Sequence, residues 1–430
     1  MKKSLKLLLP ALAIMVGIPS FTHAQFVLNG ELRPRAEYRH GFKSPATDGM
    51  DAAMFVSQRA RLNLNFKNEK MRFGMSLQDV RVWGDVAQLN QSDNSFSLHE
   101  AWGEYYFTPS ISVKAGRMEL IYDDSRILGN VDWAQQGRSH DVGLLKFENS
   151  KWEAHAGLAY NQDKEQFDSR IYTVSGNYKN LQLFWIDRKW DKLEVSLLFV
   201  NNGMQYIQEG GDGEETIYDT KYSQTFGGTA IYKTKPAVIT FNAFKQTGTS
   251  QTDKDINAFM FGANANIALS ENFNVVPGVE YLSGTSQKDV PENEINSFNP
   301  LYGTGHKFNG HMDYYYVGNH LNTVGLQDIF AKVMYKKGKL DAGIDFHFFS
   351  AAADVIDPEN PTQMLSRNLG QEIDFYLGYK FTPDVQLNLG YSQYLTTESI
   401  IALKGGSKEE TSNWAWVSVS FKPEFLNTSK

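Results

Sequence analysis

From Phe26 to Tyr38 every second residue is apolar or small: Phe26, Leu28, Gly30, Leu32, Pro34, Ala36 and Tyr38. Between them stand Val27, Asn29, Glu31, Arg33, Arg35, Glu37 and Arg39. An extended strand projects successive side chains to opposite sides, so this run predicts a ribbon with one apolar and one ionic face. The pattern recurs with Val56, Ala60, Leu62, Leu64 and Phe66 against Ser57, Arg59, Arg61, Asn63, Asn65 and Lys67, Gln58 being the one polar intruder. Met71, Phe73, Met75 and Leu77 oppose Arg72, Gly74, Ser76 and Gln78; near the end Ala415, Val417, Val419 and Phe421 oppose Trp416, Ser418 and Ser420.

A soluble sandwich alternates in the same way, so length has to decide. These runs are about 10 to 13 residues, whereas strands in soluble sheets cluster near five or six. Tilted membrane-spanning strands need about 9 to 11.

The connections point the same way. Very short ones are expected near Asn68-Glu69, Thr108-Pro109, Asn149-Ser150, Lys189-Trp190, Thr234-Lys235, Ser270-Glu271, Lys337-Gly338 and Thr382-Pro383. Longer ones alternate with them, near 41–53, 83–94, 122–140, 161–178, 202–216, 248–254, 285–322, 351–369 and 398–410. Turns facing the periplasm and loops facing outside give this alternation in an outer-membrane barrel, and the count is about 18 strands with both termini on the short-turn side. Residues 168–200 resist it, because "RIYTVSGNYK", "LQLFWIDR" and "LEVSLLFV" could be three strands. Three would make the total odd, so the first is assigned to the preceding loop, with 16 strands as the alternative.

The first 24 residues read as a secretory signal. Lys2, Lys3 and Lys6 precede an apolar stretch from Leu7 to Ile18, and Thr22-His23-Ala24 offers the cleavage site, so a single mature domain is expected over 25–430. Losing three lysines moves the formal charge from −7 to −10, which argues against a nucleic-acid partner. Cysteine is absent, so neither disulfides nor an acylated terminal cysteine contributes. Beyond the signal no run of about 18 apolar residues exists, which excludes spanning helices. A closed barrel crosses lipid without such runs, because its strands satisfy each other's backbone groups.

The strings "SQRARLNLNF", "LHEAWGEYYF", "GRMELIYDDSRILGNVDWAQQGRSHDV" and "NPLYGTGHKFNGHMDYYYVG" resemble the alginate-export family of outer-membrane porins, as does the closing "NWAWVSVSFKPEF". The likeness is strongest over 53–147 and near 299–318, and the chain runs nine residues beyond Phe421, past the usual terminal aromatic. The resemblance implies an 18-stranded barrel whose arginine-rich lumen passes an acidic polysaccharide; the cargo carries over poorly.

If the polar strand faces line a lumen, Glu31, Arg33, Arg35 and Glu37 lie beside Arg59 and Arg61. Glu100 and Glu104 share a strand face, and Arg117, Glu119, Asp123, Asp124, Arg126, Arg138 and Asp141 form a second ionic group around the third long loop. Two roles compete for these charges. Acids and arginines could brace a wide, water-filled barrel. Unpaired arginines could instead form a track for carboxylated solutes, which a guanidinium binds through two parallel hydrogen bonds. The third long loop, with Leu128 and Trp133 among its ionic residues, suits an inward fold that narrows the pore. "DYYYVGNH" suits loop packing or a girdle better than a sugar platform. "EGGDGEET" at 209–216 and "DVPENE" at 289–294 read as solvated loop acids.

The nine histidines are scattered without a ligand pattern, and no GxSxG, phosphate-binding loop or dinucleotide fingerprint occurs. No enzyme, cofactor or metal is therefore expected. The leading expectation is a monomeric outer-membrane channel in contact with lipid, an anionic carbohydrate or other acidic solute, and periplasmic export partners. The alternative is an exported soluble β-protein that binds or degrades glycans. Extraction with detergent from outer membranes and a heat-modifiable gel shift separate the two; a protein that stays soluble after lysis removes the channel. For a channel with an arginine track, Arg59→Glu combined with Arg61→Glu should weaken or reverse anion preference in planar bilayers.

Overall fold

The computed structural model describes residues 24–90, 92–210, 215–289, 292–316, 319 and 323–428. The signal expected over 1–24 lies outside these residues except for Ala24, as do parts of the acidic stretches at 209–216 and 289–294.

Eighteen antiparallel strands close into a barrel. The first six are β1 (Gln25–His40), β2 (Ala53–Lys67), β3 (Met71–Val82), β4 (Phe96–Thr108), β5 (Ile111–Met118) and β6 (His140–Glu148). Five follow as β7 (Trp152–Tyr160), β8 (Asn180–Lys189), β9 (Leu193–Gln208), β10 (Ile217–Lys233) and β11 (Ala237–Gly248). A two-residue strand in each of two loops, β12 (Asp255–Ile256) and β15 (Glu294–Ile295), forms a small parallel pair outside the wall. The wall continues through β13 (Ala258–Ala268), β14 (Phe273–Leu282), β16 (Leu326–Lys337), β17 (Leu340–Ser350), β18 (Asn368–Thr382), β19 (Val385–Leu395) and β20 (Ser412–Phe421). β20 resumes after a break as β21 (Glu424–Asn427), and both pair with β1, as in Ala36↔Val417 and Val27↔Asn427. Closure leaves no free edge, so every strand finds hydrogen-bond partners on both sides within lipid.

The eight short connections fall where the sequence places them, each two to four residues long. "RIYTVSGNYK" lies outside the strands, which keeps the count even. β9 reaches Gln208 and β10 starts at Ile217, so the loop expected over 202–216 is shorter than read. Among the described residues one α-helix, α1 (Glu398–Lys404), lies in the last long loop; Thr397 at its start accepts from the Ile400 amide. No helix among the described residues is long and apolar enough to cross a membrane.

The register fixes which face meets lipid. Leu32↔Ala60 and Leu28↔Leu64 share the outer face of β1 and β2, while Glu31↔Arg61 and Arg33↔Arg59 share the inner one. A polar inner face is not general, however. On β6, β8 and β9 the inward residues Val142, Leu144, Leu181, Leu183, Leu198 and Val200 are buried and apolar. They pack against Leu120, Ile127 and Leu128 of loop 119–139 and Phe298 of loop 283–325 in one cluster. The expectation that every polar face points inward fails here, because inward loops give part of the wall a dry surface to cover.

The same crowding explains several glycines. Gly278 on β14 stands directly opposite Phe330 on β16, whose ring occupies the space a Cβ would need. A ring laid over a strand glycine covers backbone that would otherwise be bare. Gly278→Val should therefore destabilise the barrel by about 1–3 kcal/mol through overpacking. Gly103→Val, where nothing lies within 4 Å, should be close to neutral. Urea unfolding of barrels refolded into vesicles measures both.

Candidate functional site

Arg33 and Arg59 face each other across β1 and β2, a like-charge pair that opposes strand pairing unless anions intervene. Two carboxylates do. Glu31 accepts from Arg59 Nη2 at 2.6 Å, and Asp132 accepts from the same nitrogen at 2.9 Å while standing 3.5 Å from Arg33 Nη1. Asp132 belongs to loop 119–139, so the arginines draw this loop into the barrel. Arg33 adds a 2.8 Å bond to the Asp132 carbonyl, and Gln135 donates to the Ser57 hydroxyl at 3.1 Å. Arg61 donates to Gln78 at 2.8 Å and lies 3.9 Å from Glu119.

Arg35 donates to Glu37 at 2.8 Å and to the Trp133 carbonyl at 2.8 Å, with its guanidinium 4.0 Å above the Trp133 ring. Glu37 also accepts from Arg39 at 2.8 Å and from the Trp414 indole at 3.0 Å. Trp133 stacks on His306 at 4.4 Å and meets Trp416 edge-on at 4.8 Å.

His306 comes from loop 283–325, which also turns inward and pairs with loop 119–139. Gly129 N donates to Tyr302 O at 2.9 Å, Tyr302 N to Ile127 O at 3.0 Å, and Thr304 N to Ser125 O at 2.9 Å. Carboxylates on the wall hold the far side of this second loop. Asn309 donates to Glu280 at 2.7 Å and to Asp328 at 3.2 Å, and the Met312 amide donates to Glu372 at 2.7 Å. Of the tyrosines near 314, Tyr314 stacks on Tyr394 at 3.9 Å and Tyr315 shares a 2.8 Å hydroxyl contact with it, so they pack the loop.

The remaining sequence candidates divide. Glu100 accepts from the Glu119 amide at 3.0 Å, and Glu104 accepts from Ser112 at 2.8 Å and Lys146 at 3.1 Å, both inside. Asp123 accepts from the Trp185 indole at 2.9 Å; burial in that apolar corner pushes its carboxyl up despite the bond. Arg126 pairs with Glu280 and lies over the Phe308 ring at 3.4 Å. Arg138 donates to Gly303 O at 3.0 Å, and burial lowers its guanidinium below the usual range. Arg117 and Asp141 are a correction. They pair at 2.8 Å on the face that carries exposed Leu145 and Phe147, the outer one. Ser112 and Lys114 on β5, and His140 and Val142 on β6, hold the inner parity, so neighbours one residue along must face out.

Asp132, Glu280, Asp328, Glu372 and Trp416 were not singled out from the sequence. Period two could have found Glu372 and Asp374, alternating with Ile373 and Phe375. Asp132 had no such signal, because its partners come from strands about 70 to 100 residues away. No group of His, Asp or Glu among the described residues is arranged to hold a metal.

Two cavities adjoin the arginine wall. One of about 560 Å³ opens among loop residues including Lys43, Asp85, Gln136 and Tyr316. The other, about 320 Å³, reaches the Pro383-Asp384 turn and is lined by Gln386, Asn388, Ser418, Ser420 and Lys422. Both are lined by Arg35 and Trp133. The pair therefore stands between a vestibule at the loop end and one at the turn end.

A profile of the alginate export family matches residues 25–412. The chain belongs to the alginate export family. This alginate export barrel is similar in fold to OccAB4 of Acinetobacter baumannii, at 14% identity and TM-score 0.60, covering 94% of this chain and 99% of that one. OpdL of Pseudomonas aeruginosa is similar at 12% identity and TM-score 0.61, covering 93% and 99%, and OccK9 (OpdG) of the same organism at 11% and 0.61, covering 93% and 98%. At such identities the likeness speaks for the fold. No curated protein sequence matches the chain. Family and barrel together place this member in the bacterial outer membrane as a channel, which removes the soluble alternative.

Asp132 gives the loop latch a pH dependence. Burial alone would push its carboxyl up, but Arg59 and Arg33 outweigh it and hold it below the usual aspartate range. A lowered folded pKa stabilises docking above the ordinary aspartate value, and that contribution is lost only as pH falls through the lowered one. The loop should therefore stay docked at about pH 5 and loosen under stronger acid. Asp132→Asn should reproduce the loosening at neutral pH, weakening docking by roughly 1–2 kcal/mol for a half-exposed ionic bond. Single-channel current noise against pH reads both; loosening already between about pH 6 and 5 would put control elsewhere.

Proposed function

We propose that the channel passively conducts anionic sugars or other small acidic solutes along the wall formed by β1, β19 and β20. The observation that carries this reading is that Arg35 and Trp133 line both vestibules. A guanidinium lying on an indole presents charge for a carboxylate beside an apolar face for a sugar ring. Arg33 and Lys422 flank the turn-end vestibule, and Gln386, Asn388, Ser418 and Ser420 supply neutral hydrogen-bonding groups. A carboxylated sugar leaving one cavity would meet positive charge before the other opens.

Most of the other inward arginines serve a different end on this reading. Arg59 and Arg61 line neither cavity and are held by Glu31, Asp132 and Gln78, so they brace the loop, whereas Arg35, though paired with Glu37, lines both cavities. Bracing and selection are thus divided along one strand pair, with Arg35 nearest the path. Reversing Arg59 and Arg61 would release Asp132 as well as change the field, which makes that double variant a mixed test. The residues up to Ala24 serve as the export signal, the barrel acts as a monomer, and nothing in the proposed path calls for catalysis.

Arg35→Gln is the cleaner variant. It should lower anion-over-cation preference in planar bilayers about fivefold, as expected for losing roughly 1 kcal/mol of charge attraction next to a water-filled path. Trp133→Ala should raise conductance and weaken block by uronic-acid oligosaccharides more than block by neutral ones. Unchanged selectivity and block in both variants would move the path away from this wall.

A further inference from the structure

We infer that Arg188 forms a binding site for the phosphodiester headgroup of an anionic phospholipid on the periplasmic rim of the outer wall. On β8 the inward positions are Leu183, Trp185 and Asp187, fixed by burial and by the Trp185 bond to Asp123 of the inward loop. Phe184, Ile186 and Arg188 consequently share the lipid face, Phe184 being 46% exposed. Arg188 stands opposite Trp152 of β7, two residues from Trp190 in the following short turn. Its guanidinium lies 4.6 Å from the Trp152 ring and 4.6 Å from the Trp190 ring.

This cation lacks an anion. Arg81 and Arg117, which face outward near the extracellular end, each pair with carboxylates: Asp79 and Asp93 for the first, Asp141 for the second. The Arg188 side chain has no ion pair or hydrogen bond among the described residues, and its Nε is buried without a partner. The inward Lys189 takes the nearby acids Glu153 and Asp187 instead. The adjoining turns add Lys151 and Lys192, also without ion pairs among the described residues, against one acid, Asp191.

Two indoles at a membrane boundary hold a side chain at headgroup depth, where their rings are half in lipid and half in water. A guanidinium clamped between them presents its remaining donors in a fixed fork, which matches two oxygens of a phosphodiester. The occupant is a lipid rather than free phosphate, because the acyl chains would lie along Phe184 and Ile186 on the same face.

Native mass spectrometry of the purified barrel tests the assignment with phosphatidylglycerol, phosphatidylcholine and inorganic phosphate as separate probes. The wild-type protein should retain one phosphatidylglycerol after phosphatidylcholine has dissociated. Arg188→Gln should lower that retention about fivefold, the effect of one basic residue at an anionic surface. Arg188→Lys should fall between the two. The heat-modifiable band and the channel conductance should not change, since the residue lies outside the lumen. Equal retention of both lipids by the wild type, equal phosphatidylglycerol retention in Arg188→Gln, or displacement by inorganic phosphate would each overturn the site.

Discussion

Two guanidinium groups directly opposed across neighbouring strands are an unstable arrangement, and the interior of this barrel is organised around relieving it. Arg33 and Arg59 occupy one inward pair of β1 and β2, where strand register leaves them no choice of partner. Glu31 reaches both but carries a single charge. The second anion is Asp132, which can reach them only if loop 119–139 leaves solvent and enters the barrel. Arg59 is 1% exposed, so removing its partners would leave a charge out of water, at a cost of about 3–5 kcal/mol. Electrostatics of two strands thus fixes the position of a loop far along the chain.

Once that loop is inside, it imposes its own demands. Its backbone groups must be paired, and loop 283–325 supplies Tyr302 and Thr304 for the purpose, while the Gly303 carbonyl takes the Arg138 guanidinium. Its apolar residues must be covered, and the inward faces of β6, β8 and β9 have changed from polar to aliphatic to do so. The carboxylates of β14, β16 and β18 then hold the outer flank of the second loop. A barrel of this size would otherwise enclose mainly water. Here it encloses a packed core on one side and two vestibules on the other, with Arg35 and Trp133 lining both.

The architecture was legible because its signals are local. Alternation of Phe26 to Tyr38 or of Val56 to Lys67 requires knowing only the neighbouring residues, and Asn68-Glu69 or Thr382-Pro383 mark reversals by their own chemistry. The site was less legible. Arg33, Arg35, Arg59 and Arg61 could be assigned to an inner face from parity, but their state of pairing could not. Arg117 and Asp141 show where parity itself fails as a guide. They sit where β5 ends and β6 begins, flanking a long loop, and the phase of a short strand cannot be read from one or two charged residues at its end.

By itself, then, the sequence determined a closed barrel in a membrane. Period two, long runs and alternating turn and loop lengths leave few other ways to satisfy backbone groups in lipid. Tertiary structure alone decided that Asp132 lies between two arginines, that the inner face is apolar on one side, and that Arg35 and Trp133 line both cavities. The physical reason is separation along the chain. Asp132 and Arg33 are 99 residues apart, and no local pattern encodes an ion pair whose geometry exists only after eighteen strands have closed.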